Sequence, residues 1–177
     1  MKKFVFLFLM NLIITAKEKP NSSSEAVVIS EVTNIIVERE SFEYWFSRTV
    51  LIKNKNGLNF CHVSLVENDF KEIEEIRAVI KDTSGNIVKE LDSDDIEETS
   101  ITPGYVFYSG NNNKSFALEY YVFPFVIEYS YKISSNSLFF WTDWHPQNTV
   151  KTLNSEYNLV INNEVNFSTK KIGKITD

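Results

Sequence analysis

Between Pro124 and Ile133 the chain reads PFVIEYSYKI, with Phe125, Ile127, Tyr129, Tyr131 and Ile133 at every second position. Successive side chains of a strand point to opposite faces, so one face collects five large apolar or aromatic groups. Val126, Glu128, Ser130 and Lys132 make the other face mostly polar. A strand of this kind gains stability only by laying its apolar face on a second layer, and the pattern predicts a chain built around that layer.

The same alternation returns elsewhere. Over Ser41 to Lys53, Phe42, Tyr44, Phe46, Val50 and Ile52 share a face, with Arg48 among them. Asn54-Lys55-Asn56-Gly57 then reads as a turn, and Leu58 to Val66 as the return strand of a long hairpin. Asn34 to Glu40 fits either a strand or a helical turn. Phe70 to Asp82 is ambiguous: Phe70, Ile73, Ile76 and Ile80 suit a helix, while Ile76, Ala78 and Ile80 suit a strand. The turn at Ser84-Gly85-Asn86 before Ile87 to Leu91 favours the hairpin. The acidic stretch Asp92 to Thr99 reads as a loop or one helical turn. Pro103-Gly104 and Gly110 to Asn113 punctuate the chain beyond it. Further strands are expected at Phe116 to Phe123, Leu138 to Trp144 and Tyr157 to Ile161.

With no long helix and turns at short intervals, the fold class is all-β. Two packed antiparallel sheets of about eight or nine strands bury one face of each strand. The 14% aromatic content agrees, since Phe and Tyr suit half-buried pleated surfaces.

Met1 to Ala16 reads as a secretory signal peptide. Lys2 and Lys3 precede an 11-residue apolar run, Phe4 to Ile14, which is short for a membrane span. The alternative is an uncleaved membrane tether. Residues 17–25 form a linker, 26–162 the β-sandwich domain and 163–177 a tail. The predicted location is the periplasm or cell envelope. The chain carries 18 basic against 24 acidic residues, a net charge of −6. An acidic domain is a poor match for a phosphate backbone, which excludes nucleic acid as a partner.

At this point the order of the pieces resembles the domain of unknown function that precedes transglutaminase-like domains in exported bacterial proteins of Bacteroidetes. The matching stretches are IRAVIKDTSGNIVKEL (Ile76 to Leu91) and YYVFPFVIEYSYKI (Tyr120 to Ile133), then the tryptophan segment Phe140 to Trp144, Gln147, Val150 and Ser155-x-Tyr157. The resemblance covers residues 26–162. The chain departs from it at Pro124-Phe125-Val126, where a Gly-Asp-like turn is usual, and at Thr149, where a proline is usual. It also stops at Asp177, where the family's transglutaminase-like domain would begin. The resemblance implies a β-sandwich in the envelope and no defined activity. Its implied partner is a transglutaminase-like or peptidase domain supplied in trans.

The residues themselves hold no catalytic constellation. Cys61 and His62 are adjacent, so on a strand they face opposite ways, and a buried Cys61 beside an outward His62 is expected. Asp143 and His145 flank Trp144, but a metal needs three or four ligands, and no cofactor is predicted. The acidic run Asp92 to Glu98 lacks the EF-hand pattern and reads as solvated. Glu128 reads as solvated or as a cross-strand partner, with Lys132 on the same face, and Arg48 on its apolar face pairs with Glu128 or with another carboxylate. Trp141, Trp144 and Tyr157, with Trp45, Tyr120 and Tyr121, pack a core or else form a platform for an envelope glycan, with Trp144 the outermost. The expectation is therefore a non-enzymatic exported module that docks with or supports another envelope protein. The alternative is a carbohydrate- or peptidoglycan-binding module working through Trp141, Trp144, Tyr157 and Glu128. Peptide capture at a sheet edge is a third.

Overall fold

The structure is a computed structural model that describes residues 25–101, 110–141, 143–146, 149–162 and 165, and the backbone of Met10–Ile13. The linker 17–24, the turn at Pro103-Gly104, Gln147 and nearly all of the tail lie outside the described residues, as does most of the leader. Among the described residues no helix is long and apolar enough to cross a membrane.

Among the described residues ten strands form two sheets: β1 (Met10–Ile13), β2 (Ala26–Val37), β3 (Phe42–Ile52), β4 (His62–Glu67), β5 (Lys71–Lys81), β6 (Ile87–Glu90), β7 (Glu97–Ser100), β8 (Asn112–Ala117), β9 (Phe125–Ser135) and β10 (Ser155–Ile161). The large sheet runs β1-β10-β2-β3-β9-β5-β6 and the small one β4-β8-β7. This is the expected all-β sandwich. Neighbours are antiparallel except β10, which lies parallel to β2.

The alternating stretch at Phe125 becomes β9, near the middle of the large sheet between β3 and β5. Phe125, Ile127, Tyr129 and Ile133 are buried. Their partners across β3 are Ile52, Val50, Arg48 and Tyr44 in turn. Each fully buried large apolar side chain contributes about 1.5–3 kcal/mol, so these rows carry much of the fold.

Four local expectations are corrected. The first is the hairpin after β3. Lys55–Cys61 forms a 3-10 turn instead, and β4 belongs to the small sheet, paired with β8. Asn54 caps this turn through its side chain, which accepts from the Asn56 amide at 3.0 Å. Gly57 serves close approach rather than positive φ. A Cβ there would lie 2.7 Å from the Glu25 carbonyl oxygen, which already accepts from the Lys53 amide at 2.9 Å. Both flanks of β3 are thereby taken by β2 and β9, and the chain crosses to the other layer.

The second correction concerns the strand expected at 116–123. It lies earlier, as β8. Phe116 and Leu118 are buried, but Tyr121 and Val122 are exposed and residues 118–124 have no partner strand. Third, the tryptophan segment is not a strand. Leu138–Phe140 is a 3-10 turn whose first free amide, at Phe139, donates to Ser137 Oγ at 3.3 Å. Described residues 141 and 143–146 then run without regular structure. Fourth, the acidic stretch read as a loop or one helical turn holds such a turn, the 3-10 turn at Ser93–Asp95, but its end is strand: Glu97–Ser100 pairs with β8 as β7.

The ambiguous segment Phe70 to Asp82 is strand β5, and the reason for its helix-like spacing is visible. Between Glu74 and Arg77 the register against β9 slips by one residue. Glu75 sits there at φ +52°, in the left-handed region. A bulge inserts one residue, so Ile73 and Ile76 fall three apart in a strand. Asn34 to Glu40 resolves in the same direction, with Asn34 to Val37 completing the long β2.

Candidate functional site

The buried face of the large sheet carries a polar row that crosses four strands. Register places Ser155 of β10 beside Glu31 of β2, Glu31 opposite Arg48 of β3, and Arg48 opposite Tyr129 of β9. Each sits at an inward position of its strand, Glu31 of β2 after a register shift between Val28 and Ser30 that sets the alternation from there on. β10 is held in place by its approach: the Val28 amide donates to the Lys151 carbonyl at 2.9 Å, and the Glu31 amide to that of Asn154 at 3.0 Å.

At the centre of the row, Arg48 Nε donates to Glu31 Oε2 at 2.7 Å, and a second guanidinium nitrogen pairs with the same oxygen. Arg48 Nη1 donates to the Tyr129 hydroxyl at 3.0 Å. The guanidinium also lies 5.2 Å from the centre of the Phe46 ring. Burial works against the arginine charge, but Tyr129 and Glu31 outweigh it and its pKa is raised. Glu31 is only 3% exposed, so the pair is a charged element set into the core. Arg48 thus has Glu31 as its partner; Glu128 lies on the opposite face, where it pairs with Lys81 at 2.7 Å. Lys132 pairs with Glu43 at 3.0 Å, not with Glu128.

Beside the row stand Tyr44, Phe46 and Tyr131. Phe46 stacks on Tyr131 at 5.0 Å, and Tyr44 lies 6.2 Å from each. These groups border a cavity of about 380 Å3 together with Thr33, Trp144 and His145. Asp143 and His62 also reach it. The irregular segment 143–146 therefore brings three residues singled out in the sequence to one place. Trp144 packs its ring on Tyr157 at 5.3 Å, and its Nε1 is buried. Trp144 is half-buried rather than outermost. Trp141 packs on Phe42 at 5.5 Å. Trp141, Trp144 and Tyr157 are neighbours, whereas Glu128 is remote from them on the outer face. Trp45 is also on that outer face, with Lys132 Nζ 5.1 Å from its ring centre.

A larger open cleft of about 1030 Å3 lies at one end of the sandwich, lined by Glu67, Asp69, Lys71 and Lys114 among others. One of its cations is already engaged: Lys114 Nζ pairs with Glu67 at 3.1 Å and donates to the Ile73 carbonyl at 3.0 Å. The smaller cavity, where buried polar atoms converge, is the better candidate.

Cys61 is fully buried at the end of the 3-10 turn, and burial, with a lesser contribution from Glu119, pushes its thiol up to about 12. His62 is exposed and contacts Glu119 at 2.5 Å. A thiol held protonated is a poor nucleophile. Among the described residues no three of His, Cys, Asp and Glu are grouped to hold a metal ion.

The buried acids predict an alkaline limit. Burial raises the pKa of Tyr129, Tyr131 and Tyr44 as well as Cys61. The unfolded chain releases these protons first, so the contribution is full below the unfolded thiol's pKa of about 8.5 and is lost as pH rises toward the folded values. The urea midpoint should hold from pH 7 to about 8.5 and fall above it, with Cys61 alone accounting for about 3 kcal/mol by pH 11. Cys61→Ala should flatten the fall. A midpoint unchanged to pH 11 would contradict this.

Glu31 and Thr33 were not legible as site residues, although Arg48 on an apolar face was a usable signal. A buried arginine requires a carboxylate, and β2 offers Glu31 at an inward position.

A family model for domains of unknown function, DUF3857, matches residues 39–176. A crystal structure of a Parabacteroides distasonis protein described as a "putative protease" is similar at a TM-score of 0.65 and 16% identity, over 81% of this chain. At that identity the likeness shows the fold alone, and the chain spans 30% of that neighbour's length. No curated protein matches.

Proposed function

Starting from a chain that belongs to the DUF3857 family of domains of unknown function, we propose that it is a non-enzymatic accessory module of the cell envelope that docks with a catalytic domain. The catalytic partner in this reading is a transglutaminase-like or peptidase domain. Export rests on the leader pattern of Lys2, Lys3 and the apolar run after them.

The observation that carries the reading is an aromatic lip on the turn after β9. Phe139 is 88% exposed and packs edge-on against Phe140, which stacks on Phe70, itself 51% exposed. Clustered exposed rings are what a protein partner covers, and aromatic residues dominate the energetics of such contacts. The greater length of the structural neighbour supports the same reading, because this fold occurs there within a chain that has much more to pack against it.

Co-sedimentation with a transglutaminase-like domain from the same envelope tests the reading. A complex is expected, weakened about tenfold or more by Phe139→Ser with Phe70→Ser. Tyr121→Ser, an exposed aromatic outside the lip, should leave it intact. No complex, or a complex indifferent to the lip, would reject docking at this surface. Peptide hydrolysis or crosslinking by the purified chain that is lost in Cys61→Ala would reject the non-enzymatic part.

A further inference from the structure

The open cleft at one end of the sandwich holds a second arrangement of charge, apart from the polar row around Arg48. The last row of the large sheet at this end is Phe42 of β3, Ser135 of β9 and Lys71 of β5, paired in register. Phe42 and Ser135 are buried, and so is Ile73, two residues beyond Lys71 on the same strand. Side chains two apart share a face, so Lys71 stands at an inward position, on the side of the second layer. A tight turn fixes it there. The Asn68 amide donates to the Lys71 carbonyl at 2.9 Å, and the Lys71 amide to that of Asn68 at 3.1 Å. This turn carries the chain from β4 in the small sheet to β5 in the large one, and residues 67–72 all line the cleft.

An inward lysine ordinarily brings a carboxylate with it, because an unpaired charge is costly to enclose. Lys114, reaching the cleft from β8, has Glu67. Lys71 has no ion pair among the described residues. It lines the cleft half-buried, and burial lowers the pKa of its amine with nothing acidic to offset the shift. The rest of the lining is of opposite sign. Glu38 accepts from Asn162 at 2.6 Å, and Glu43 is held by Lys132. Asp69 and Glu72, on either side of Phe70 and Lys71, have no ion pair among the described residues. Asp69 packs against Gly110 ahead of β8, where a Cβ would come within 2.9 Å of its carboxylate. Phe70 and Ile36, both exposed, add apolar surface. At about 1030 Å3 the cleft has room for a small molecule.

We infer that this cleft binds a small zwitterion, an amino acid or a dipeptide, whose carboxylate pairs with Lys71 and whose ammonium faces Asp69 and Glu72. The ligand carboxylate supplies the counter-charge that the fold withholds from Lys71, and charge-assisted contacts of this kind are the strong ones. A compact polyanion such as phosphate meets the surrounding carboxylates and is disfavoured. The site does not rest on the docking reading: it is a property of the chain alone, and its lysine is no part of the aromatic lip.

Calorimetric titration of the full chain with phenylalanine, glycylphenylalanine, glycylphenylalanine amide and inorganic phosphate tests this. At least one of the two zwitterions should saturate. Whichever binds more tightly identifies the source, and either supports the site. The peptide amide, which lacks the carboxylate, and phosphate should each bind about tenfold more weakly or worse. Lys71→Met keeps the length and removes the charge, and should weaken the zwitterion about tenfold. It should fold as the parent does, because it leaves no protein partner unpaired. Lys55→Met, in the 3-10 turn beyond the other end of β3, should change nothing, and neither should Phe139→Ser in the lip. In the unsubstituted protein the backbone amide resonances of residues 69–72 should shift on titration while those of β6 stay still, a readout that does not depend on any variant folding. Failure of both zwitterions to saturate at millimolar concentration, equal affinity for the peptide amide or for phosphate, binding indifferent to Lys71→Met, or stationary resonances at 69–72 would overturn the site.

Discussion

Arg48→Met is expected to lower folding stability by about 3–5 kcal/mol, read as a fall in the urea midpoint at unchanged slope. The loss comes less from the attraction removed than from the charge left behind. Glu31, 3% exposed, would keep its charge with its nearest cation gone, and Tyr129 would lose the donor to its hydroxyl. Removing both charges should behave differently. Glu31→Leu with Arg48→Met exchanges an ion pair for apolar volume, and such exchanges are often neutral or stabilising. The double variant should therefore recover most of the loss, and its stability should differ from the sum of the two single effects by well over 1 kcal/mol. Additive effects, or a loss below about 1 kcal/mol for Arg48→Met, would mean that solvent reaches Glu31 and that the pair acts as a surface bridge.

Phe125→Ala should cost a similar amount, about 3–5 kcal/mol, by leaving a cavity where β9 begins. Phe125 is fully buried, pairs in register with Ile52, and is packed by Tyr120 at 5.7 Å and Phe123 at 5.6 Å. The adjacent Val126 points to the other face and is only half-buried. Val126→Ala should cost less than about 1.5 kcal/mol. Thermal melting compares the two directly, because a chain of this size loses about 2–4 °C for each kcal/mol. Equal losses would show that β9 does not bury one face in preference to the other.

The contrast between Phe125 and Val126 is legible in the alternation of the chain alone, and so are the inward faces of β3 and β9. The ambiguity of β5 is legible too, but its cause is not. A bulge at Glu75 breaks the period of two, and the spacing then imitates a helix. The hairpin expected after β3 failed for a different reason. Asn56-Gly57 has the composition of a tight turn, but Gly57 is there because the Glu25 carbonyl leaves no room for a Cβ. That contact joins residues far apart along the chain. Trp141 and Trp144 looked like strand residues because aromatic side chains favour sheets. In the fold Trp141 leans on Phe42 of β3 and Trp144 on Tyr157 of β10, off the end of any ladder.

The sequence by itself determined which faces of β3 and β9 turn inward, and hence that the chain is a two-layer β protein. Alternation is a local property, written in side chains two residues apart, and water enforces it wherever the strand ends up. It says nothing about which strand lies alongside. Only the tertiary structure decided that β10 runs parallel to β2, that β4 leaves β3 for the small sheet, and that Ser155, Glu31, Arg48 and Tyr129 fall in one row. Pairing and register depend on contacts between distant segments, and a row across four strands exists only once all four are aligned. The candidate site is a property of that alignment. Its arginine could be noticed in the chain, but its carboxylate, hydroxyls and indole became neighbours only through the fold.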